Sequence, residues 1–199
     1  MTITVGGSSI TFPDSTTQTT AAGVSLPGVL GQVFTSSGTF TIPSGVTAVK
    51  VIVTGGGGGG SGSAYAGGGM QNGSNSSVSS GTQTIGTITG TGGIKAGSGA
   101  TAVGTGGDFN LYGGSNVSYY GGASYFQVQY TNAGVGVYGS GGASYGGCGS
   151  QGGNGGATAI KYLTGLTPGA TLTVTIGNGG AGGSPDGNNG GKGVALFEW

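Results

Sequence analysis

Gly55-Gly56-Gly57-Gly58-Gly59-Gly60 opens, and Gly152-Gly153-Asn154-Gly155-Gly156 closes, a stretch of about a hundred residues that holds 37 of the chain's 55 glycines. Within it stand one acid, Asp108, one base, Lys95, and no proline. Short segments rich in Tyr, Ser, Asn and Thr separate the glycine clusters. Each glycine held in regular structure costs roughly 0.5–1 kcal/mol relative to alanine, so something systematic has to offset so many. Three routes are open. Extended helices of the polyproline II type, three residues per turn, can lie side by side and share N–H···O=C bonds when no side chain intervenes. Tight loops can use the glycine's access to positive φ. The stretch can also stay disordered, but disordered chains are usually charged and poor in aromatics, whereas this one has net charge 0, 4% charged residues and a mean hydropathy of +0.11.

Outward from this stretch the chain turns to strands. On the N-terminal side Thr39-Phe40-Thr41-Ile42 precedes a turn at Pro43-Ser44-Gly45, and Ala48–Val53 places Val49, Val51 and Val53 on one face. On the C-terminal side strand patterns resume at Ala157–Leu163, at Thr171–Ile176 and at Val194–Trp199. Leu172, Val174 and Ile176 alternate with threonines, the pattern of a half-buried strand. Thr167-Pro168-Gly169-Ala170 is a turn sequence, and 177–193 reads as a second glycine-rich loop. Within the stretch itself, 82–89, 109–112, 125–130 and 135–138 are strand-like, and Gly121-Gly122-Ala123-Ser124-Tyr125 recurs as Gly141-Gly142-Ala143-Ser144-Tyr145. No segment has helical periodicity.

The expected fold is therefore all-β. A small antiparallel β-sandwich, 34–199, carries a glycine-rich insertion, 55–156, of polyglycine II helices or loops. Ahead of it, Thr2-Ile3-Thr4-Val5 and Ile10-Thr11-Phe12 around Gly6-Gly7 read as a short N-terminal β-hairpin. Residues 1–33, ending in a linker with Pro27, are too few to bury a core, so they are expected to dock or assemble.

Composition narrows the function. Four bases balance four acids, so no electrostatic footprint for nucleic acid exists. No apolar run approaches the ~18 residues that cross a bilayer, so membrane insertion is not expected, and the N-terminus lacks the pattern of a secretory signal. There is no histidine, and Cys148 is the single cysteine. Asp14, Asp108, Asp186 and Glu198 lie in different elements, so catalysis, metal and cofactor are all expected to be absent. Recognition remains. Tyr112, Tyr119, Tyr120, Tyr125, Tyr130 and Tyr138, with Asn116 and Gln127 among them, combine rigid aromatic area with adaptable amides, the composition of antibody binding loops. The same tyrosines could instead pack on the glycine surfaces.

Gly38-Thr39-Phe40-Thr41-Ile42-Pro43-Ser44-Gly45-Val46, then Val49–Val53 and polyglycine, resembles the glycine-rich C-terminal domain of bacteriophage tail fibres. So does Leu172–Gly180 with Gly190-Gly191-Lys192-Gly193-Val194 and the terminal strand. Ile10–Ala22 resembles a linker motif of phage fibre proteins. The resemblance covers about half the chain. It implies a virion fibre or adhesin subunit, made in the host cytoplasm and built into a tail or head fibre. A homotrimer is expected, as is docking of residues 1–33 onto other fibre, tail or capsid proteins. In the related adhesins of T-even-type phages, polyglycine II helices carry variable segments that touch the host receptor. Here 65–78 and 108–138 would be those segments, and a surface glycan or outer-membrane protein the target. A head fibre or capsid decoration without a receptor is the alternative, and an ice-binding protein a further one.

Overall fold

The computed structural model describes residues 4–6, 9–11, 17–18, 30–62, 69–98, 100–117, 119–126, 137–144 and 150–199. The chain divides into two compact units, Met1–Leu30 and Gly31–Trp199. In the first, β1 (Thr4–Gly6) pairs with β2 (Ser9–Thr11), placing Val5 opposite Ile10, and β3 (Thr17–Gln18) pairs with β2. The expected hairpin is present, with Gly6 inside a strand.

The second unit is a sandwich of two antiparallel five-stranded sheets. One sheet runs β10 (Phe109–Leu111), β11 (Thr158–Thr164), β6 (Ala48–Thr54), β13 (Val194–Glu198), β4 (Gly31–Phe34). The other runs β5 (Gly38–Thr41), β12 (Thr171–Thr175), β7 (Ser76–Ser80), β8 (Ile88–Gly90), β9 (Gly104–Thr105). The alternation seen in the sequence sets the core: Val49, Val51, Val53, Ala159, Ala195 and Phe197 of one sheet meet Phe40, Leu172, Val174, Val78 and Ile88 of the other. Phe40 stacks on Phe197 with centroids 4.1 Å apart, and Phe34 meets Phe197 edge-on at 5.5 Å. Gly31, Gln32 and Val33, expected to end a linker, instead lie in β4 and pair with Glu198, Phe197 and Leu196 of β13.

The five strands flanking the insertion all form, as β5, β6, β11, β12 and β13. Within it, 109–112 yields β10, but 82–89 contributes only its last two residues, to β8. The hydroxyl of Ser80 accepts from the N–H of Ile85 and donates to its carbonyl, both at 3.0 Å. Such local bonds compete with a ladder. Tyr125, Phe126 and Tyr138 lie in turns, not strands, and the rest of 125–130 and 135–138, Val137 apart, lies outside the described residues.

The glycine stretch is ordered by a different rule. The N–H groups of Gly55, Gly58 and Ser61 donate to the carbonyls of Ala157, Asn154 and Gln151. Those of Gly56 and Gly59 donate to Ser74 and Gln71, and those of Gly57 and Gly60 to Gly191 and Asn188, all at 2.8–3.0 Å. Its carbonyls accept with the same period: Gly56 and Gly59 from Gly93 and Ala96, Gly57 and Gly60 from Gly180 and Gly183, and Gly58 from Gly142. Every third residue thus faces the same neighbour, the repeat of a three-residue helix. None of these glycines has a positive φ, so the helix has the left-handed sense of polyproline II.

Six segments surround this axis and bond to one another in a closed ring. Residues 71–74 bond to 177–183 (Gln71 N–H to Ala181 O, 3.0 Å), which bond to 187–193 (Gly190 N–H to Gly180 O, 2.9 Å). The ring continues through 139–144 (Gly191 N–H to Ser140 O, 2.8 Å) and 151–157 (Gly153 N–H to Gly142 O, 2.8 Å) to 91–96 (Asn154 N–H to Ile94 O, 2.8 Å). Gly73 N–H to Gly93 O, 2.8 Å, closes it. The segment 177–193, read from sequence as a loop outside the insertion, therefore supplies two of the six ring helices. Strands β6, β8 and β12 run directly into this bundle and β7, β11 and β13 run out of it. The repeated Gly-Gly-Ala-Ser motif has a structural counterpart here, since Gly141 N–H donates to Gly122 O at 2.9 Å and both copies bond to Gly153.

Candidate functional site

The bundle leaves the sandwich at one end, so its reversals gather at the other. Among the described residues these are Gly62 and Gly69, Gly97 and Ser98, Ser144 and Ser150, and the exposed turn Ser184-Pro185-Asp186. Gly187 N–H closes that turn on Gly183 O at 2.7 Å. In the segment 65–78, the described residues serve the scaffold: 71–74 are a ring helix and Ser76–Val78 lie in β7.

The tyrosines expected to bind a receptor fall on several segments. Tyr112, 72% exposed, bridges to Val103 beside β10. Tyr119 is exposed, and its carbonyl accepts from Ser144 N–H at 2.9 Å, toward the reversal end. Tyr120, half-buried, bridges to Val117. Tyr125 is exposed and meets Phe126 edge-on at 5.2 Å. Tyr138 is exposed, and its carbonyl accepts from Ser124 Oγ at 2.6 Å. This anchors 124–126 near the sheet, where Gly139 packs on Thr54. Asn116 is half-buried and its N–H donates to Asn154 Oδ1 at 3.0 Å. Gln127 and Tyr130 lie outside the described residues.

The amides that the sequence reading left aside have a structural role. Asn75 Oδ1 accepts from Gly92 N–H at 2.9 Å and Asn72 Oδ1 from Lys95 N–H at 3.0 Å, again three residues apart. Asn154 also donates from Nδ2 to Ala100 O at 2.7 Å, and Asn189 Oδ1 accepts from Gly182 N–H at 2.8 Å. Where the rim of the bundle has no further helix to bond, an asparagine amide takes its place. The three-residue spacing of Asn72 and Asn75 was the available signal.

Two faces of the sandwich differ in chemistry. On the β5 sheet, register puts Thr39, Thr173 and Ser79 in one row and Thr175, Ser77, Thr89 and Thr105 in another. Phe40, Leu172, Val174, Val78 and Ile88 are buried inward, so these hydroxyls point outward, with no charged residue on the five strands. On the other sheet, Lys50 Nζ lies 2.8 Å from Glu198 Oε2, and the Lys161 ammonium 2.6 Å from Asp108 Oδ1. The hydrogen bond to Glu198 raises the Lys50 pKa, partial burial opposes it, and Glu198, Tyr162 and Tyr125 add charge effects that raise it further. The hydrogen bond from Lys161, then that from the Tyr162 N–H, lowers the pKa of Asp108.

Among the described residues no group of three or more His, Cys, Asp or Glu could hold a metal ion, and no helix is long and apolar enough to cross a membrane. An open groove of about 560 Å³ lies between Thr41, Ile42, Pro43, Ser44, Pro168 and Gly169, at the sandwich end away from the bundle. Comparison with protein-family models, curated proteins and solved structures finds no match to this chain.

Proposed function

We propose that this chain is a virion fibre or adhesin subunit that binds a host-cell surface receptor through loops and tyrosines carried on the glycine bundle. The observation that supports this reading is the closed ring of six three-residue helices about the 55–61 axis, fed by strands at one end and reversing at the other. Such a lattice fixes its surface residues with little freedom left to lose on binding. Affinity would come from several copies acting together, with residues 1–30 docking the subunit into a trimer or onto another virion protein. Fluorescently labelled full-length protein should bind intact bacterial cells of the host saturably. Joint replacement of Tyr119, Tyr120 and Tyr125 by Ala should abolish that binding without lowering Tm. Native mass spectrometry should give three times the 18.5 kDa chain. Absence of saturable cell binding would favour a structural fibre component, and cell binding untouched by the triple replacement would place the contact on other residues.

A second reading, an ice-binding protein, is favoured by one observation: the uncharged Thr/Ser rows on the β5 sheet. Strands about 4.8 Å apart with like-facing residues about 6.8 Å apart make a regular hydroxyl array. Thermal hysteresis of the full-length protein, lost on replacing Thr173 by Lys, would support it.

A further inference from the structure

Directly opposed residues of antiparallel strands share a face. Tyr162 of β11 is opposite Lys50 of β6, and Lys50 is opposite Glu198 of β13. The three side chains therefore form one row across adjacent strands, on the side away from the sandwich core. Lys50 and Glu198 are paired at 2.8 Å and remain 30% and 27% exposed, while Tyr162 is 55% exposed. The backbone under Tyr162 is held firmly: its N–H donates to Asp108 Oδ2 at 2.9 Å, and the same carboxylate binds Lys161.

We propose that Tyr162, Lys50 and Glu198 form a binding site for a neutral, hydroxyl-rich sugar. A sugar ring has an apolar C–H face and a rim of hydroxyls. The exposed Tyr162 ring offers the first an aromatic surface with a polar edge. The ion pair offers the second a fixed set of charged donors and acceptors side by side, since the ammonium carries three protons and the carboxylate two oxygens. Two neighbouring hydroxyls can bridge such a pair, one accepting from Lys50 and one donating to Glu198. The pair's charges cancel, so the row exerts no net pull on an anionic or cationic ligand. A sulfated or carboxylated sugar would have to break the pair to bind. Strand backbone on three adjacent strands keeps the row rigid, as a site for a weakly held ligand requires.

This inference rests on the receptor-binding reading and names the ligand class of one face. The test uses the full-length protein and an immobilised panel of neutral oligosaccharides: maltoheptaose, chitohexaose, mannan fragments and neutral O-polysaccharide from bacterial cells. Sulfated and carboxylated counterparts form a second arm. Binding to a neutral member is expected. It should weaken at least tenfold in Tyr162→Ala, Lys50→Met and Glu198→Gln, and be kept in Tyr162→Trp and in the charge-matched control Lys95→Met, with Tm checked for each. A bacterial polysaccharide as the sole binder would assign the source; a plant or fungal glucan would assign another. Binding to cells without binding to any neutral sugar would overturn the site and leave the adhesin reading standing. So would sugar binding unaffected by the row variants, or tighter binding of the acidic arm. Absence of both cell and sugar binding would overturn both readings.

Discussion

Val53 and Gly57 are four residues apart and both are buried, but different things enclose them. Val53 is shut in by side chains across the sandwich: it belongs to the same cluster as Phe40, Leu172 and Phe197. Gly57 is shut in by backbone: it donates to Gly191, accepts from Gly180, and a Cβ built on it would overlap the carbonyl of Ser140. In the sandwich, sheets stand about 10 Å apart and apolar side chains fill the gap. In the bundle there is no gap to fill, and water is excluded because the segments themselves come into contact. Stability in the first region comes from apolar area. In the second it comes from N–H···O=C bonds shared between neighbouring segments. The difference shows how a chain with 34% hydrophobic residues can be ordered: the glycine bundle needs no apolar core.

The comparison can be broken most forcefully at Phe197. Phe197→Ala should cost about 3–5 kcal/mol, read by urea unfolding. Because three strands feed the bundle and three leave it, hydrogen exchange at the Gly58 and Val51 amides should accelerate together. Acceleration at Val51 alone would mean that the two regions unfold separately. One added methyl group makes the next test. Gly57→Ala should cost about 3 kcal/mol, since backbone on every side leaves it no room. Gly38→Ala, whose Cβ meets only the Phe34 ring, at 3.4 Å, should stay within about 1 kcal/mol of the parent. Equal, mild effects would refute the closed ring. At the rim, Asn75→Ala removes the acceptor for Gly92 N–H and should cost about 1 kcal/mol, against no more than about 0.5 kcal/mol for Thr173→Ala on the sandwich surface.

The smallest effect is electrostatic and confined to the sandwich. The depressed Asp108 pKa stabilises the fold above the ordinary value of 3.8, and that contribution is lost as pH falls through the lowered one. The raised Lys50 pKa stabilises below 10.5, and that contribution is lost as pH rises past the folded value. Without histidine, Tm should be nearly flat between about pH 5 and 9. Asp108→Asn should lower Tm slightly above about pH 4 and flatten the acid limb in a thermal-melt series, leaving the shape of the alkaline limb unchanged.

Much of the sandwich was legible because Val49, Val51 and Val53, or Leu172 and Val174, carry a two-residue apolar alternation that only a half-buried strand explains. Strands β7 and β9 were not: Ser76-Ser77-Val78-Ser79-Ser80 has one apolar residue, and Gly104–Thr105 none. They become strands because β12 and β8 offer them a ladder. Of the site, the sequence left open whether the tyrosines protrude or pack on the glycine surfaces; Tyr112, Tyr119, Tyr125 and Tyr138 are exposed. The row of Tyr162, Lys50 and Glu198 was not, because its members lie more than a hundred residues apart or in separate strands until register aligns them.

By itself the sequence determined that the chain would be all-β, without net charge, and built around glycine segments able to pack without side chains. Those properties are local: they follow from side-chain alternation and from the missing Cβ. Only the tertiary structure decided which segment became the axis, that 177–193 joined the ring, and which residues met on each face. Glycine runs carry no side-chain code for their partners, so their backbone bonds are assigned by where the strands of the sandwich deliver them.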